Sequence, residues 1–163
     1  GLFREFSTPE EVDVYSIFRF GTRTSEEEWN LTQEEVSYLS QFSAFNGVAE
    51  GRLRVYRIPI EKVYEVMKQY FGLEPDEIPI VDYLRMVYWE ETCCYYVANH
   101  GFLGDIEVEI LYAERLDDGK IRFVYTNPNQ IAPYFGGEAV VESFVGGFRF
   151  VSNQHHDAPP EGY

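Results

Sequence analysis

The segment DIEVEILYAERLDDGKIRFVYT, residues 105–126, decides the fold, because its pattern predicts two strands joined by a turn. Apolar residues alternate on both sides of the dipeptide Asp118-Gly119, a strong signal for a β-hairpin. A two-residue turn would place the apolar residues of both arms on one face. These residues are Ile106, Val108, Ile110 and Tyr112 in the first arm, and Ile121, Phe123 and Tyr125 in the second.

Further strand pairs are predicted on both sides of that hairpin. RMVYWEE (85–91) and CCYYVA (93–98) are expected to pair across a tight turn near Glu91 and Thr92. EAVVESFV (138–145) and FRFVSN (148–153) flank a Gly-Gly turn. Short strands separated by short turns predict an antiparallel meander.

The first half of the chain predicts helices. In STPEEVDVYSIFRFG (7–21), Ser7 or Thr8 is the expected N-cap, Pro9 takes the first helical position and Gly21 follows the last. This pattern indicates one helix with Val14, Ile17 and Phe18 on its buried face.

Two further helices are expected before residue 73. Thr32 and Glu35 have the spacing of a capping box, which predicts a short helix over roughly 33 to 41. A strand leads into Pro59, after which apolar residues from Ile60 to Tyr70 lie on one helical stripe that ends at Gly72.

Helices followed by strands predict an α+β domain, with N-terminal helices packed on one face of a mostly antiparallel β-meander sheet. At 163 residues the chain fits a single domain, 1–163. Residues 1–6 and about 155–163 are expected to be loose ends.

The charge of the chain is strongly acidic, with 13 Lys and Arg against 28 Asp and Glu and a net charge of −15. Nucleic acid and anionic membranes are excluded as partners, because binding phosphate requires Lys and Arg. A basic protein partner or a cation would be attracted. The alternative is a solvated acidic surface that keeps the protein soluble. No apolar stretch approaches the roughly 20 residues of a transmembrane helix.

Cys93 and Cys94 are adjacent and precede His100. Structural zinc sites place residues between their cysteines, so this spacing does not suit zinc. A cysteine nucleophile needs a base within hydrogen-bond reach, and no motif around either cysteine matches a protease signature. The favoured interpretation places one cysteine in the core and the other on a half-covered face.

Two acidic or histidine-rich groups are candidates for metal binding. Asp105, Glu107 and Glu109 would project from one face of a strand, a pattern suited to calcium, to acid–base work or simply to a solvated face. His155 and His156, next to Asp157, resemble a metal cluster in composition only. We therefore predict no metal site, no cofactor, no catalytic residue and no enzymatic activity.

The high content of aromatic residues, 17% of the chain, indicates a binding function. Rigid aromatic side chains supply contact area at low entropic cost. The candidate binding residues are Tyr88, Trp89, Tyr95, Tyr96 and His100. Core packing is the alternative explanation for these aromatic residues.

The order of KVYEVMKQYFGL (62–73), VYWEETCCYYVANHG (87–101) and GGFRFVSNQ (146–154) resembles the uncharacterised lipoprotein-like secreted domains of gut Gram-positive bacteria. The likeness covers about residues 58 to 154. It implies an extracellular location or the outer face of the cell membrane, with an export signal and a possible lipid anchor on the untrimmed chain. It implies no enzymatic activity, and the lipid-attachment cysteine near the processed N-terminus is absent here.

Three functional hypotheses follow from the sequence. The preferred one is a non-enzymatic extracytoplasmic domain that binds a ligand or protein partner through an aromatic and acidic surface. The alternative is an acidic inhibitor or immunity-type protein that neutralises a basic partner enzyme. A hydrolase that uses Cys94 or the carboxylates at 105, 107 and 109 has the least support.

Overall fold

The computed structural model describes residues 4–21, 26–28, 30–79, 85–99, 108–126 and 136–156. These residues form an α+β fold with antiparallel sheets, which confirms the predicted class. The helices are α1 (Val14–Ser16), α2 (Gln33–Leu39) and α3 (Ile60–Phe71). The strands are β1 (Glu26–Glu28), β2 (Arg54–Pro59), β3 (Met86–Trp89), β4 (Cys94–Asn99), β5 (Glu109–Arg115), β6 (Ile121–Thr126), β7 (Gly136–Phe144) and β8 (Gly147–His156).

The described strands form two four-stranded sheets, whereas the sequence predicted one. The first sheet has the order β1-β2-β4-β3, and the second is a meander with the order β5-β6-β7-β8. Contacts divide the chain into two compact units, with the boundary inside α3. The first-sheet unit comprises Val14–Val63 and Ile80–Phe102, and the second-sheet unit comprises Gly1–Asp13, Tyr64–Pro79 and Leu103–Tyr163.

One face of the first sheet packs against α2 and the turn that follows it. Leu39 and Phe45, both fully buried, contribute the helical side of this core. The strands contribute Val55, Val87, Cys94, Tyr96 and Ala98. Burying these side chains stabilises the unit, because each large apolar side chain removed from water contributes about 1.5–3 kcal/mol.

The opposite face of the first sheet is covered as well. Ile58, Met86 and Val97 lie on it and are fully buried. The helical turn Ile17–Gly21 contacts β4. The first sheet is therefore covered on both faces, whereas the sequence predicted helices on one face. The packing of α2 on its face agrees with that prediction.

The helix predicted after Thr8 is broken into three short pieces. A 3₁₀ turn spans Pro9–Glu11, α1 has a single turn, and a π-helical turn follows over Ile17–Gly21. Thr8 makes no side-chain capping bond, and the backbone of Val12 is extended, with ψ at 137°. β-branched and aromatic residues dominate this segment and favour helix weakly, so burial rather than helix propensity fixes its conformation.

The two other predicted helices are confirmed. Thr32 caps α2 through its side chain, and Glu35 returns a bond to the backbone of Thr32, which completes the capping box. α3 ends at Phe71, and Gly72 follows it with φ at +74°, a left-handed conformation that favours glycine. Within the described residues, none of the helices combines the length and apolarity needed to cross a membrane.

The turn between β5 and β6 is one residue longer than predicted. The backbone N–H of Leu116 donates to the carbonyl of Lys120 at 2.8 Å, so Asp117, Asp118 and Gly119 form a three-residue loop. Gly119 has φ at +86°, as the last position of such a loop requires.

The longer loop and a β-bulge change the register of the predicted hairpin. Ile110 pairs with Tyr125, so these two residues share a face as predicted, but the bulge at Leu111 pairs Tyr112 with Val124 on the other face. Tyr112 therefore does not share the predicted face, and Ile106 lies outside the described residues. The prediction of one shared apolar face is correct for Val108, Ile110, Ile121, Phe123 and Tyr125.

Some residues that were predicted to be loose ends are ordered. They lie at both ends of the described chain. Phe6 is buried, and its backbone exchanges two hydrogen bonds of 2.9 Å with Asn153. Its ring contacts Phe71, with ring centroids 6.0 Å apart. β8 continues through His156. The outermost residues at both ends lie outside the described residues.

Candidate binding site

The strand register divides the predicted aromatic residues between two faces of the first sheet. Tyr88 pairs with Tyr95, whereas Trp89 pairs with Cys94 and Val87 with Tyr96. Trp89 and Tyr96 therefore face α2, and Tyr88 and Tyr95 lie on the other face. The predicted residues do not form a single surface.

Tyr96 is a core residue, which corrects its predicted role in binding. Its side chain is fully buried, and its hydroxyl donates to Glu35 Oε1 at 2.6 Å and lies 3.1 Å from Thr92 Oγ1. Burial, and then the hydrogen bond to Glu35, raise the pKa of Tyr96 far above its ordinary value. A buried hydroxyl with these two partners is not available to a ligand.

Tyr88 and Tyr95 form a cross-strand pair and are half-buried. Their ring centroids are 5.0 Å apart. Aromatic pairs of this kind stabilise a sheet by roughly 0.2–1 kcal/mol, so the pair has a structural role. His100 lies outside the described residues.

Trp89 is the predicted residue that borders an open hollow. The hollow lies between α2 and the connection from β3 to β4. Gln33, Glu34, Ser37 and Tyr38 contribute from α2, with Gln41 just beyond it, and Trp89 and Glu91 contribute from the connection. Of the aromatic residues predicted for binding, Trp89 is thus brought together with polar side chains that the prediction did not include.

Tyr38 was not among the predicted binding residues, although its position in the helical repeat indicates an exposed face. Glu34, Ser37, Tyr38 and Gln41 recur at the i, i+3, i+4 and i+7 positions of a helix, so they share one face. The buried Leu39 lies on another face of the same helix. A polar stripe with one aromatic residue, opposite an apolar face, indicates an exposed surface with binding capacity.

The aromatic wall of the hollow is held in place by its neighbours. The rings of Tyr38 and Trp89 stack with centroids 4.9 Å apart and planes at 12°. The Tyr38 hydroxyl donates to the backbone carbonyl of Tyr88 at 2.9 Å, and the ring of Phe42 meets Tyr38 edge-on. These contacts fix the wall before any ligand arrives, which lowers the entropic cost of binding.

Glu34 and Glu91 give the hollow its charge. Both are exposed, and within the described part of the chain neither takes part in an ion pair. Glu35, which lies beside Glu34 in sequence, is instead buried and paired with Arg57 at 3.0 Å. The hollow therefore presents two unneutralised carboxylates beside an aromatic wall.

The Glu35 carboxylate is ionised in spite of its burial. Burial by itself raises the pKa of Glu35, but hydrogen bonds from Tyr96, the Thr32 backbone and Arg57 outweigh it and lower the pKa. Because its charge is fully engaged, Glu35 supports the wall and does not add an available charge to the hollow.

The two cysteines occupy different environments. Cys94 is buried in the α2-facing core, as predicted for one of the pair, and Cys93 is exposed, with both thiols free. Their sulfur atoms contact different carbonyls, that of Glu90 for Cys93 and that of Thr92 for Cys94. Burial raises the pKa of the Cys94 thiol, which disfavours the nucleophilic thiolate.

Among the described residues, no group of three or more His, Cys, Asp and Glu side chains is arranged to hold a metal ion. Of the predicted carboxylate series, Glu109 begins β5, and Asp105 and Glu107 lie outside the described residues. His155 lies in β8 within 3.3 Å of the Asn153 amide, and Asp157 lies outside the described residues. Comparison with family models, curated proteins and solved structures gives no match for this chain.

Proposed function

We propose that this chain is a non-enzymatic binding domain that acts outside the cytoplasm, as the resemblance to secreted lipoprotein-like domains implies. It binds a cationic group, carried by a ligand or by a basic protein partner, in the hollow beside α2. The observation that carries this proposal is the pairing of two unneutralised carboxylates, Glu34 and Glu91, with the stacked rings of Tyr38 and Trp89.

The physical basis is the complementarity between a cation and this wall. A guanidinium or ammonium group gains about 0.5–1 kcal/mol from an aromatic ring at an exposed site. Each exposed ion pair adds roughly 0.2–1 kcal/mol. These terms predict modest affinity at this hollow, while the net charge of −15 accelerates the encounter with a basic partner.

Trp89 fluorescence tests the proposal, in a variant where Trp29, the other tryptophan, is replaced by phenylalanine. The probe is an acetylated, amidated hexa-arginine peptide, with hexaserine as the neutral control. We expect hexa-arginine to change the Trp89 emission and its affinity to fall as salt rises, because screening weakens exposed ion pairs. Hexaserine should leave the emission unchanged.

Two matched double variants test whether hexa-arginine binds in the hollow beside α2. Glu34→Gln with Glu91→Gln removes both charges from the hollow and should weaken hexa-arginine binding by about fivefold or more. Asp76→Asn with Asp117→Asn removes two exposed charges elsewhere and should have little effect. Equal weakening by the two double variants would mean that the net charge, and not this hollow, binds the peptide.

The net charge of −15 also favours a second candidate function, an acidic inhibitor or immunity-type protein that neutralises a basic enzyme. The neighbouring genes separate the two candidates. An apolar export segment that ends in a lipid-attachment cysteine favours the extracytoplasmic binding domain, and an adjacent toxin gene favours the inhibitor. If a toxin gene is adjacent, this protein should abolish the activity of the toxin enzyme when the two are mixed at equimolar ratio.

A further inference from the structure

One face of the second sheet contains an apolar hollow of about 430 Å³. All four strands contribute to its lining, among them Ile110 of β5, Phe123 of β6, Val141 of β7 and Phe150 of β8. These side chains share a face because Ile110 pairs with Tyr125, and Ile121 pairs with Val141, which pairs with Phe150. The volume falls within the range of about 300–1,000 Å³ that small-molecule sites occupy.

The depth of the hollow comes from small residues placed between large ones. Ala139, Ser143 and Gly147 lie in the lining, where their small size leaves room beside Phe123, which pairs with Ala139, and Phe148, which pairs with Ser143. A fully apolar sheet face with large residues at these positions would fill the space. The sequence therefore forms a concave surface on this part of the sheet.

The lining of the hollow contains uncharged side chains. Within the described part of the chain, none of its residues carries a charged side chain, although 28 of the 163 residues are acidic. The opposite face of the same sheet is different, since Arg122 contacts both Glu114 and Glu138 there. An ion placed in the hollow would lose its hydration without gaining a partner, so the hollow selects an uncharged occupant.

The walls of the hollow are preformed. The ring of Phe150 is flanked by Phe148, edge-on at 5.6 Å, and by Phe71, stacked at 6.0 Å. The Tyr125 hydroxyl donates to Asn153 Oδ1 at 2.9 Å, which anchors the opposite part of the lining. The mouth is open, because Ile110 and Phe148 are 59% and 47% exposed.

We propose that this hollow binds the alkyl chain of a small uncharged amphiphile, such as an alcohol or a neutral lipid. The limited volume and the concave shape suit a single chain, whereas a second copy of the protein would require a broad, flat apolar surface. The absence of charge in the lining excludes an ionic head group from the hollow itself, so that group stays at the mouth. This site is separate from the hollow beside α2, and neither proposal depends on the other.

Displacement of Nile red by linear alcohols tests the proposal. Nile red fluorescence should rise on binding to the protein, and 1-octanol, 1-nonanol and 1-decanol should displace it with increasing affinity. Each methylene transferred into the hollow should strengthen binding about fourfold, which corresponds to about 0.8 kcal/mol. A gain of that size that stops at a definite chain length supports a hollow of fixed volume, and the absence of any dependence on chain length overturns the proposal.

Variants on one edge strand locate the binding. Ile110→Glu places a carboxylate on the lining and should weaken 1-decanol binding at least tenfold. Leu111→Glu makes a comparable apolar-to-acidic change on the adjacent residue, which does not line the hollow, and should leave binding within twofold of wild type. Equal effects of both variants would overturn the assignment to this hollow.

A filling variant and the oligomeric state complete the test. Ser143→Trp should occupy the hollow and block 1-decanol, with a circular dichroism spectrum like that of the wild type. Light scattering should give a monomer in the absence of alcohol. A dimer that Ile110→Glu dissociates, combined with no binding of alcohol, would instead identify the face as a contact between two copies and overturn the proposal.

Discussion

The buried carboxylate of Glu35 accepts a 2.6 Å hydrogen bond from the hydroxyl of Tyr96, 61 residues further along the chain. The same carboxylate accepts from the Thr32 backbone at 2.7 Å and from Arg57 at 3.0 Å. One side chain thus caps α2 and attaches it to β2 and β4. The position of α2, and with it the wall of the proposed cation site, depends on this carboxylate.

Replacing Glu35 by glutamine should lower the stability of the first-sheet unit. Glutamine keeps the shape of the side chain but removes the charge that pairs with Arg57 and accepts from Tyr96. We expect the free energy of unfolding to fall by about 2–3 kcal/mol, measured by urea denaturation at pH 7. Glu34→Gln, the exposed neighbour, should change it by less than about 0.5 kcal/mol, and similar losses in both variants would contradict a special role for Glu35.

The same carboxylate should make the protein sensitive to acid. The pKa of Glu35 is lower in the folded chain than its ordinary value of 4.5, so the unfolded chain binds more protons in that range. Its contribution to stability is present above about pH 4.5 and is lost as the pH falls through the folded value. Wild type should therefore lose stability more steeply than Glu35→Gln below pH 4.5, as measured by urea denaturation at several pH values. Parallel curves would show that other groups dominate the acid transition.

Local patterns predicted those parts of the fold that depend on neighbours in sequence. The capping box at Thr32 and Glu35 needs only a spacing of three residues, and it is present as predicted. The partnership of Glu35 with Tyr96 depends on how α2 packs on a strand far along the chain, and no local pattern encodes it. For that reason Tyr96 was predicted to bind a ligand although it is buried.

Register is a second feature that the local pattern predicted only in part. Alternation placed Ile110 on the correct face, but the bulge at Leu111 moved Tyr112 to the other one. A bulge adds one residue to a strand without changing its composition, so the alternation alone does not reveal it. The apolar hollow was missed for a related reason, because its depth depends on Ala139 and Ser143 lying opposite residues from other strands.

Replacing Cys93 by glycine should stabilise the β3–β4 turn. Among the described non-glycine residues, Cys93 has a positive φ, at 52°, which costs an L-amino acid roughly 1–2 kcal/mol. Glycine removes that cost. It also makes the unfolded chain more flexible, which lowers the free energy of unfolding by about 0.5–1 kcal/mol. The net expectation is a rise in the free energy of unfolding of up to about 1 kcal/mol, detected as a higher Tm.

The control for that turn is Cys93→Val. A β-branched side chain is disfavoured at positive φ, so this variant should be less stable than wild type. If glycine and valine both destabilised the protein equally, the sulfur contact to the Glu90 carbonyl, rather than the backbone conformation, would account for the preference for cysteine.

Replacing Gly137 by alanine should strongly destabilise the second-sheet unit. A methyl group at Gly137 would overlap the backbone carbonyl of Gln154 and the hydroxyl of Tyr125. Neither group can move freely, since the carbonyl belongs to β8 and the hydroxyl donates to Asn153. We expect a loss of about 3 kcal/mol or more, measured by thermal denaturation. Weaker binding of 1-decanol should accompany it, because Tyr125 lines the apolar hollow.

Gly147→Ala is the matched control in the same sheet. Its methyl group would meet the ring of Phe144 at 3.2 Å, and Phe144 is 41% exposed, so its side chain can move away. This variant should therefore cost less than about 1 kcal/mol. The contrast between the two glycines separates a steric requirement of the strand backbone from the general entropic effect of replacing glycine. Equal stability of Gly137→Ala and Gly147→Ala would mean that β7 and β8 are not as closely paired at Gly137 as the register indicates.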